Sequence, residues 1–302
     1  MPDATPAPYH RLLRNPLNPR GYVVLGAFAI FAGWIFVSLL IALVQQSIRT
    51  DPEGTVSWFG LLATNLSLIA LIPLCMLVAQ KLNRQAPGLL SSVAGKVRWR
   101  PLAWFAAVAV LIELVMVGVI QFGGVETLGD GSGGIAPDAA GVIAVTLLTS
   151  TFQAAGEEYF YRGYLLQAVG ALVRSSVIAV LVTTVLFTMA HGIWPWESPA
   201  LFLDRFAFGL VAGFLAVRTG GLEAPIAVHA ANNVVTFVFA ALTDSVGDSL
   251  GAKDAPWGLV IADVAKFVAF GLVALWIARR TKLATVCDLP LTAAPMPGKR
   301  LV

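Results

Sequence analysis

Apolar runs long enough to cross a membrane recur along the whole chain, and nothing constrains its fold more. A bilayer core takes about 20 mostly apolar residues per helix. Eight runs of that order are found, at 21–46, 57–80, 102–123, 139–167, 175–194, 200–217, 222–243 and 257–278. The fourth is too long to be a span alone and is expected to emerge or tilt. The fold class expected is therefore all-α, a polytopic transmembrane helical bundle of about eight spans. Composition closes off the alternatives, since 58% of the residues are hydrophobic and 12% charged, about half the charged share of a soluble domain. A formal charge of +3 and two cysteines far apart, Cys75 and Cys287, exclude a nucleic-acid partner and a disulfide scaffold.

The basic residues set an orientation, because Lys and Arg in short loops stay on the cytoplasmic side. Arg11, Arg14, Arg20, Lys81, Arg84, Lys96, Arg98, Arg100, Arg174, Arg218, Arg279, Arg280, Lys282, Lys299 and Arg300 all fall on one side of the eight spans, against Arg49 and Lys253 on the other. Acidic residues such as Asp51, Glu53, Asp130 and Asp248 sit in the opposite loops. Both termini are thus expected to be cytoplasmic, as tails at 1–20 and 281–302 flanking a membrane domain at 21–280, with the C-terminal tail unstructured. The first span has no small-residue cleavage site, and no cleaved leader is expected. The basic stretch between Lys81 and Pro101 is expected to lie along the anionic inner surface.

Ionisable groups inside a membrane cost roughly 2.5 to 3.5 kcal/mol even on lenient scales, so each calls for a partner or a function. The densest group is AAGEEYFYRGYLL, residues 154–166. Glu158 and Arg162 are spaced i and i+4 with the acid first, the favourable order for an ion pair. Glu157 points about 100° away and has no basic residue at i+3 or i+4. Of three histidines, His191 and His229 lie in or at the edge of spans. Phe187 and His191 share a helix face, as do His229 and Asn233. A carboxylate, two imidazoles and a carboxamide would supply a base, a partner for water and donors for an oxyanion.

The motifs EEYFYR (Glu157 to Arg162), FTMAH (Phe187 to His191) and HAANN (His229 to Asn233), in that order in successive spans, resemble those of the CPBP family. This is the group of CAAX prenyl endopeptidases and bacteriocin-processing or immunity membrane proteins, also called the abortive infection family. The resemblance covers about 140–241 and implies an intramembrane endopeptidase acting on a membrane-associated peptide or protein. It implies that Glu157 and His191 activate water, that His229 and Asn233 stabilise the oxyanion, and that Glu158 and Arg162 complete the first motif. The i+4 spacing selects Asn233 over Asn232. Two accounts of the chemistry stay open: a zinc ion held by Glu157, His191 and His229, or activation of water by glutamate and histidine directly. A non-enzymatic membrane partner or immunity protein and a proton-coupled transporter are the competing classes. The expected location is a bacterial plasma membrane, with the lipid bilayer as surroundings.

Other intramembrane polar residues have simpler expected roles. Asp263 and Lys266 are i and i+3 and should pair locally. Asp204 and Arg205 should reach the outer interface, and Glu113 has no local partner. Gly209 and Gly213 form GxxxG, expected to serve packing within the fold. Neither cysteine is expected in a disulfide.

Overall fold

The computed structural model describes residues 6–48, 57–128 and 134–292. Arg49, Asp51, Glu53, Asp130, Lys299 and Arg300 lie outside the described residues. Eight helical segments follow the eight apolar runs: α1 Arg20–Ile48, α2 Trp58–Lys81, α3 Trp99–Gly123, α4 Ala139–Leu172, α5 Ser176–Ala190, α6 Pro199–Thr219, α7 Glu223–Leu242 and α8 Trp257–Arg280. All but α5 are long and apolar enough to cross a membrane. α1 buries only Val23, Gly26 and Ile30, and exposes Phe28, Phe36 and Leu43. A helix facing acyl chains has no reason to hide such side chains.

Hydrogen bonds identify the two ends of the bundle. At one end Ala7–Pro8 pairs antiparallel with Val286–Cys287, Ser92 bridges Gly221, and Arg98 reaches Ala284. At the other, the Ala136 N–H donates to the Ala241 carbonyl at 3.0 Å and Ser198 donates to Asp254 at 2.6 Å. The helices therefore alternate in direction, with both described chain ends on one side. α7 runs through the middle, packed against α3, α4, α6 and α8, and its first nine residues, Glu223 to Ala231, are all buried.

Three expectations change. Residues 281–292 are not a loose tail: beyond the strand pairing, Gln85 bridges Thr292 and Cys287 is buried. The N-terminal segment that it pairs with is built into the bundle too, since Tyr9, Leu12 and Leu13 are fully buried and the Tyr9 hydroxyl donates to the Leu90 carbonyl. The stretch after Lys81 packs into the bundle instead of lying along a surface, because Leu89, Leu90 and Val93 join the core. Burial of these apolar side chains outweighs the pull of its basic residues, of which Arg98 is fixed by a bidentate pair with Glu223 (2.6 and 2.9 Å). Finally, α5 stops at Ala190, short of the expected 194. Gly192 takes a left-handed φ of 69°, and Pro195 follows, so the helix cannot continue. Cys75 and Cys287 are both free, as expected.

Candidate active site

α4 positions the two glutamates. Its α-helical turns are interrupted by wider π-helical stretches at Thr146–Ser150 and Tyr159–Leu165, on either side of Glu157 and Glu158. Such stretches shift the register of side chains around a helix and are frequent at functional sites. Gly156 lets this part of α4 press against α2, where a Cβ would collide with the Leu68 carbonyl oxygen.

Glu158 and Arg162 form the expected i, i+4 ion pair, with Nη1 to Oε1 at 2.8 Å and both side chains wholly buried. The sequence does not reveal what else holds them. The Arg162 guanidinium lies 4.2 Å from the centre of the Phe187 ring, so the motif phenylalanine supplies a π face to a buried cation. Gly209 leaves room for this: a Cβ there would come within 3.4 Å of Arg162 and 3.0 Å of Thr184. Gly213 likewise meets Val180 of α5, so the GxxxG pair serves internal packing.

His229 joins the two acids. Its Nδ1 lies 2.8 Å from Glu158 Oε1 and its Nε2 lies 3.2 Å from Glu157 Oε2. Glu157, unpartnered along its own helix, thus finds its partner on α7. The Glu158 oxygen already accepts from Arg162, so Nδ1 carries the proton toward it. Nε2 and the Glu157 oxygen are then two acceptors in contact unless a proton lies between them, either on the carboxyl or on an imidazolium.

His191 lies just past the end of α5. Its Nδ1 sits 2.8 Å from the Phe187 carbonyl, an acceptor only, so Nδ1 is the protonated nitrogen and Nε2 keeps a free lone pair. Asn233 donates from Nδ2 to Gln153 Oε1 at 2.9 Å, leaving one amide hydrogen unused. Glu157, His191, His229, Asn233 and Gln153 all line one cavity of about 340 Å³, with Phe187 and Phe208 in its wall. Gln153, one turn before Glu157 on α4, was missed from the sequence. Its amide in an apolar run was the available signal.

The fit of a metal can be judged from the donors. Among the described residues no three His, Cys, Asp or Glu side chains converge as ligands would. His229 Nδ1 is taken by Glu158, and its Nε2 lies 3.2 Å from Glu157 Oε2. The set Glu157, His191 and His229 does not fit a three-ligand site as arranged.

The remaining intramembrane charges gather beside this cavity. Lys266 pairs with Asp263 at 2.8 Å, as its spacing required, and also with Glu113 at 3.1 Å. Its third hydrogen bond is to Asn232 Oδ1, at 2.8 Å. Asp204 is buried and does not reach an interface; it pairs with its neighbour Arg205, which is 34% exposed. These groups line a second cavity of about 440 Å³ that shares Arg205, Asn232 and Thr236 with the first.

Comparison with known proteins bears on this segment. Residues 139–235, which contain all three motifs, match the family described as type II CAAX prenyl endopeptidase Rce1-like. The chain is also similar to the uncharacterized protein YyaK of Bacillus subtilis (strain 168), 24% identical over 284 residues, covering 87% of this chain and 90% of that protein. The resemblance drawn from the motifs is thereby supported independently. This chain is a multi-pass helical membrane protein whose segment 139–235 is similar to the Rce1-like family of type II CAAX prenyl endopeptidases.

Proposed function

We propose that the protein is an intramembrane endopeptidase that hydrolyses a peptide bond of a membrane-associated protein or peptide. The observation that carries this reading is the chain of contacts from Arg162 through Glu158 and His229 to Glu157, ending in a cavity that also holds His191 and Asn233. Glu157 is the general base, taking a proton from water, and the Nε2 lone pair of His191 orients that water. The Arg162–Glu158 pair fixes His229 in one orientation, as the acid does in other histidine-based hydrolases. His229 Nε2–H and the free amide hydrogen of Asn233 then donate to the tetrahedral oxyanion. When Glu157 carries the proton it can pass it to the leaving amine.

Water is activated by these side chains directly, without zinc, in keeping with the lack of three converging His, Cys, Asp or Glu donors among the described residues. The protein resides in a bacterial plasma membrane with the end bearing both termini in the cytoplasm, the arrangement that keeps its many basic residues inside. The test is to compare the membrane peptidomes of a strain carrying the wild-type protein and one carrying Glu157→Gln. Peptides that disappear in the variant mark substrates. Identical peptidomes, with both proteins expressed and folded, would favour a non-enzymatic partner that keeps the motifs for structure.

A further inference from the structure

The helix that carries the FxxxH motif does not span the bilayer. Its 15 residues rise about 22 Å at ~1.5 Å each, against ~30 Å of hydrocarbon. α5 begins at the end of the bundle where the termini lie, since the Arg174 carbonyl just before it is held by His10. The missing length is therefore all at the opposite end, above His191. The catalytic cavity occupies that gap. Past His191 its lining passes to Ile193, Leu250 and Ala252, which belong to the connections at the end remote from the termini.

The other direction is closed. Phe187 and Phe208 form the cavity's inner wall, with the buried Glu158–Arg162 pair behind them. Further on, the first nine residues of α7 are buried, and the Arg98–Glu223 pair and the inserted Tyr9, Leu12 and Leu13 fill the end that bears the termini. The second cavity repeats the polarity: its walls reach Gly124, Leu128 and Ala255, again at the remote end.

We infer that the catalytic cavity is entered from the non-cytoplasmic face, so that its substrates are membrane proteins or peptides whose scissile bond lies in an extracytoplasmic segment near the outer leaflet. A prenylated C-terminus displayed in the cytoplasm is then on the wrong side. The inference rests on the proposed orientation and endopeptidase activity, and adds to them the side from which the site is reached.

The test uses the full-length protein in cells, with Cys75 and Cys287 replaced by Ala and single cysteines introduced by Thr236→Cys, Asp248→Cys or Lys96→Cys. Thr236 is an exposed lining residue of both cavities and takes no part in the proposed chemistry. A membrane-impermeant thiol reagent applied to intact cells should label the cysteines at 236 and 248 and spare the one at 96, which should react only in inside-out vesicles. Labelling at 236 only in inside-out vesicles, or from neither side, would overturn the inference. Exchange of sides between 96 and 248 would show the orientation reversed, and the inference would fall with it. Cleavage sites lost in the Glu157→Gln peptidome should map to extracytoplasmic segments, and cytoplasmic sites would refute the substrate class. No peptidome difference would remove the endopeptidase reading and the substrate class together, while labelling at 236 would still decide which face the cavity opens to.

Discussion

Removing Glu158 should unfold the protein more readily than removing its neighbour, and the structure says by how much. Glu158 Oε1 accepts from Arg162 and from His229, both at 2.8 Å, with the glutamate and arginine side chains completely buried. Breaking a buried ion pair by deleting one partner costs about 3–5 kcal/mol, because the other charge is left uncompensated. The Phe187 ring does not offset this, since its contact with Arg162 is already present in the wild type. Glu158→Ala should therefore lose about 3–5 kcal/mol. Glu157→Gln should lose under about 1 kcal/mol, the worth of one hydrogen bond in a partly open site. Replacing both charges, Glu158→Leu with Arg162→Met, should restore part of the loss; His229 Nδ1 would still lack its acceptor, a residual of about 1–3 kcal/mol. Denaturant titration in detergent micelles, read by tryptophan fluorescence, measures all three. A Glu158→Ala protein within about 1 kcal/mol of wild type, or a double variant less stable than the single, would refute the reasoning.

Direct activation of water predicts that prolonged treatment with a metal chelator leaves proteolysis unchanged; loss of activity restored by added zinc would establish the opposite. Asn233→Ala should lower kcat by roughly 10² to 10³ with little change in KM, the usual effect of deleting one oxyanion donor, and Asn232→Ala, which removes only the link between Lys266 and Asn233, should cost less. Gly156→Ala should destabilise by about 1–3 kcal/mol through overpacking against α2, and a neutral result in the same titration would show that α4 has room to move. His10, in the N-terminal segment, is held below the ordinary histidine value of 6.5 chiefly by burial, with the Arg174 carbonyl partly opposing it. Its depressed value means that the folded state prefers the neutral ring, so this contribution is present above about pH 6.5 and is lost as pH falls. Amide exchange at residues 9–13, corrected for intrinsic rate, should quicken on acidification in the wild type and not in His10→Phe; protection that rises on acidification would refute this.

The spans were legible because hydropathy and length are local properties, and so was the Glu158–Arg162 pair, which needs only one turn of helix. Asp263 with Lys266 was legible for the same reason. What lay hidden was every contact between helices. Glu157 looked unpartnered because His229 lies on α7, and Glu113 looked alone because Lys266 lies on α8. The family motifs brought the right residues together without saying how they touch. Spacing could not show that His229 stands between the two glutamates, with Nδ1 held by Glu158 and Nε2 facing Glu157. The C-terminal tail misled for another reason: a short polar and proline-rich stretch carries no hydropathy signal, yet Val286–Cys287 pairs with Ala7–Pro8 and Cys287 is buried.

The second buried charge cluster bears on the proposed oxyanion site through the amides. The Lys266 ammonium donates to Asn232 Oδ1, which fixes which end of that amide is oxygen. Asn232 Nδ2 must then be the donor, and it donates to Asn233 Oδ1 at 3.3 Å. That in turn sets Asn233 Nδ2 toward Gln153 Oε1, with its second hydrogen left for the cavity. An asparagine whose amide could flip would present oxygen to an oxyanion half the time and repel it. Here a cation that cannot accept a hydrogen bond determines the direction of two successive amides. On the proposed mechanism Lys266 thus has a reason to sit in the membrane beyond neutralising Glu113 and Asp263: it orients the proposed donor one helix away. Lys266→Met should accordingly lower kcat more than KM, and Asn232→Asp should not rescue it, because a carboxylate has no hydrogen to pass on to Asn233.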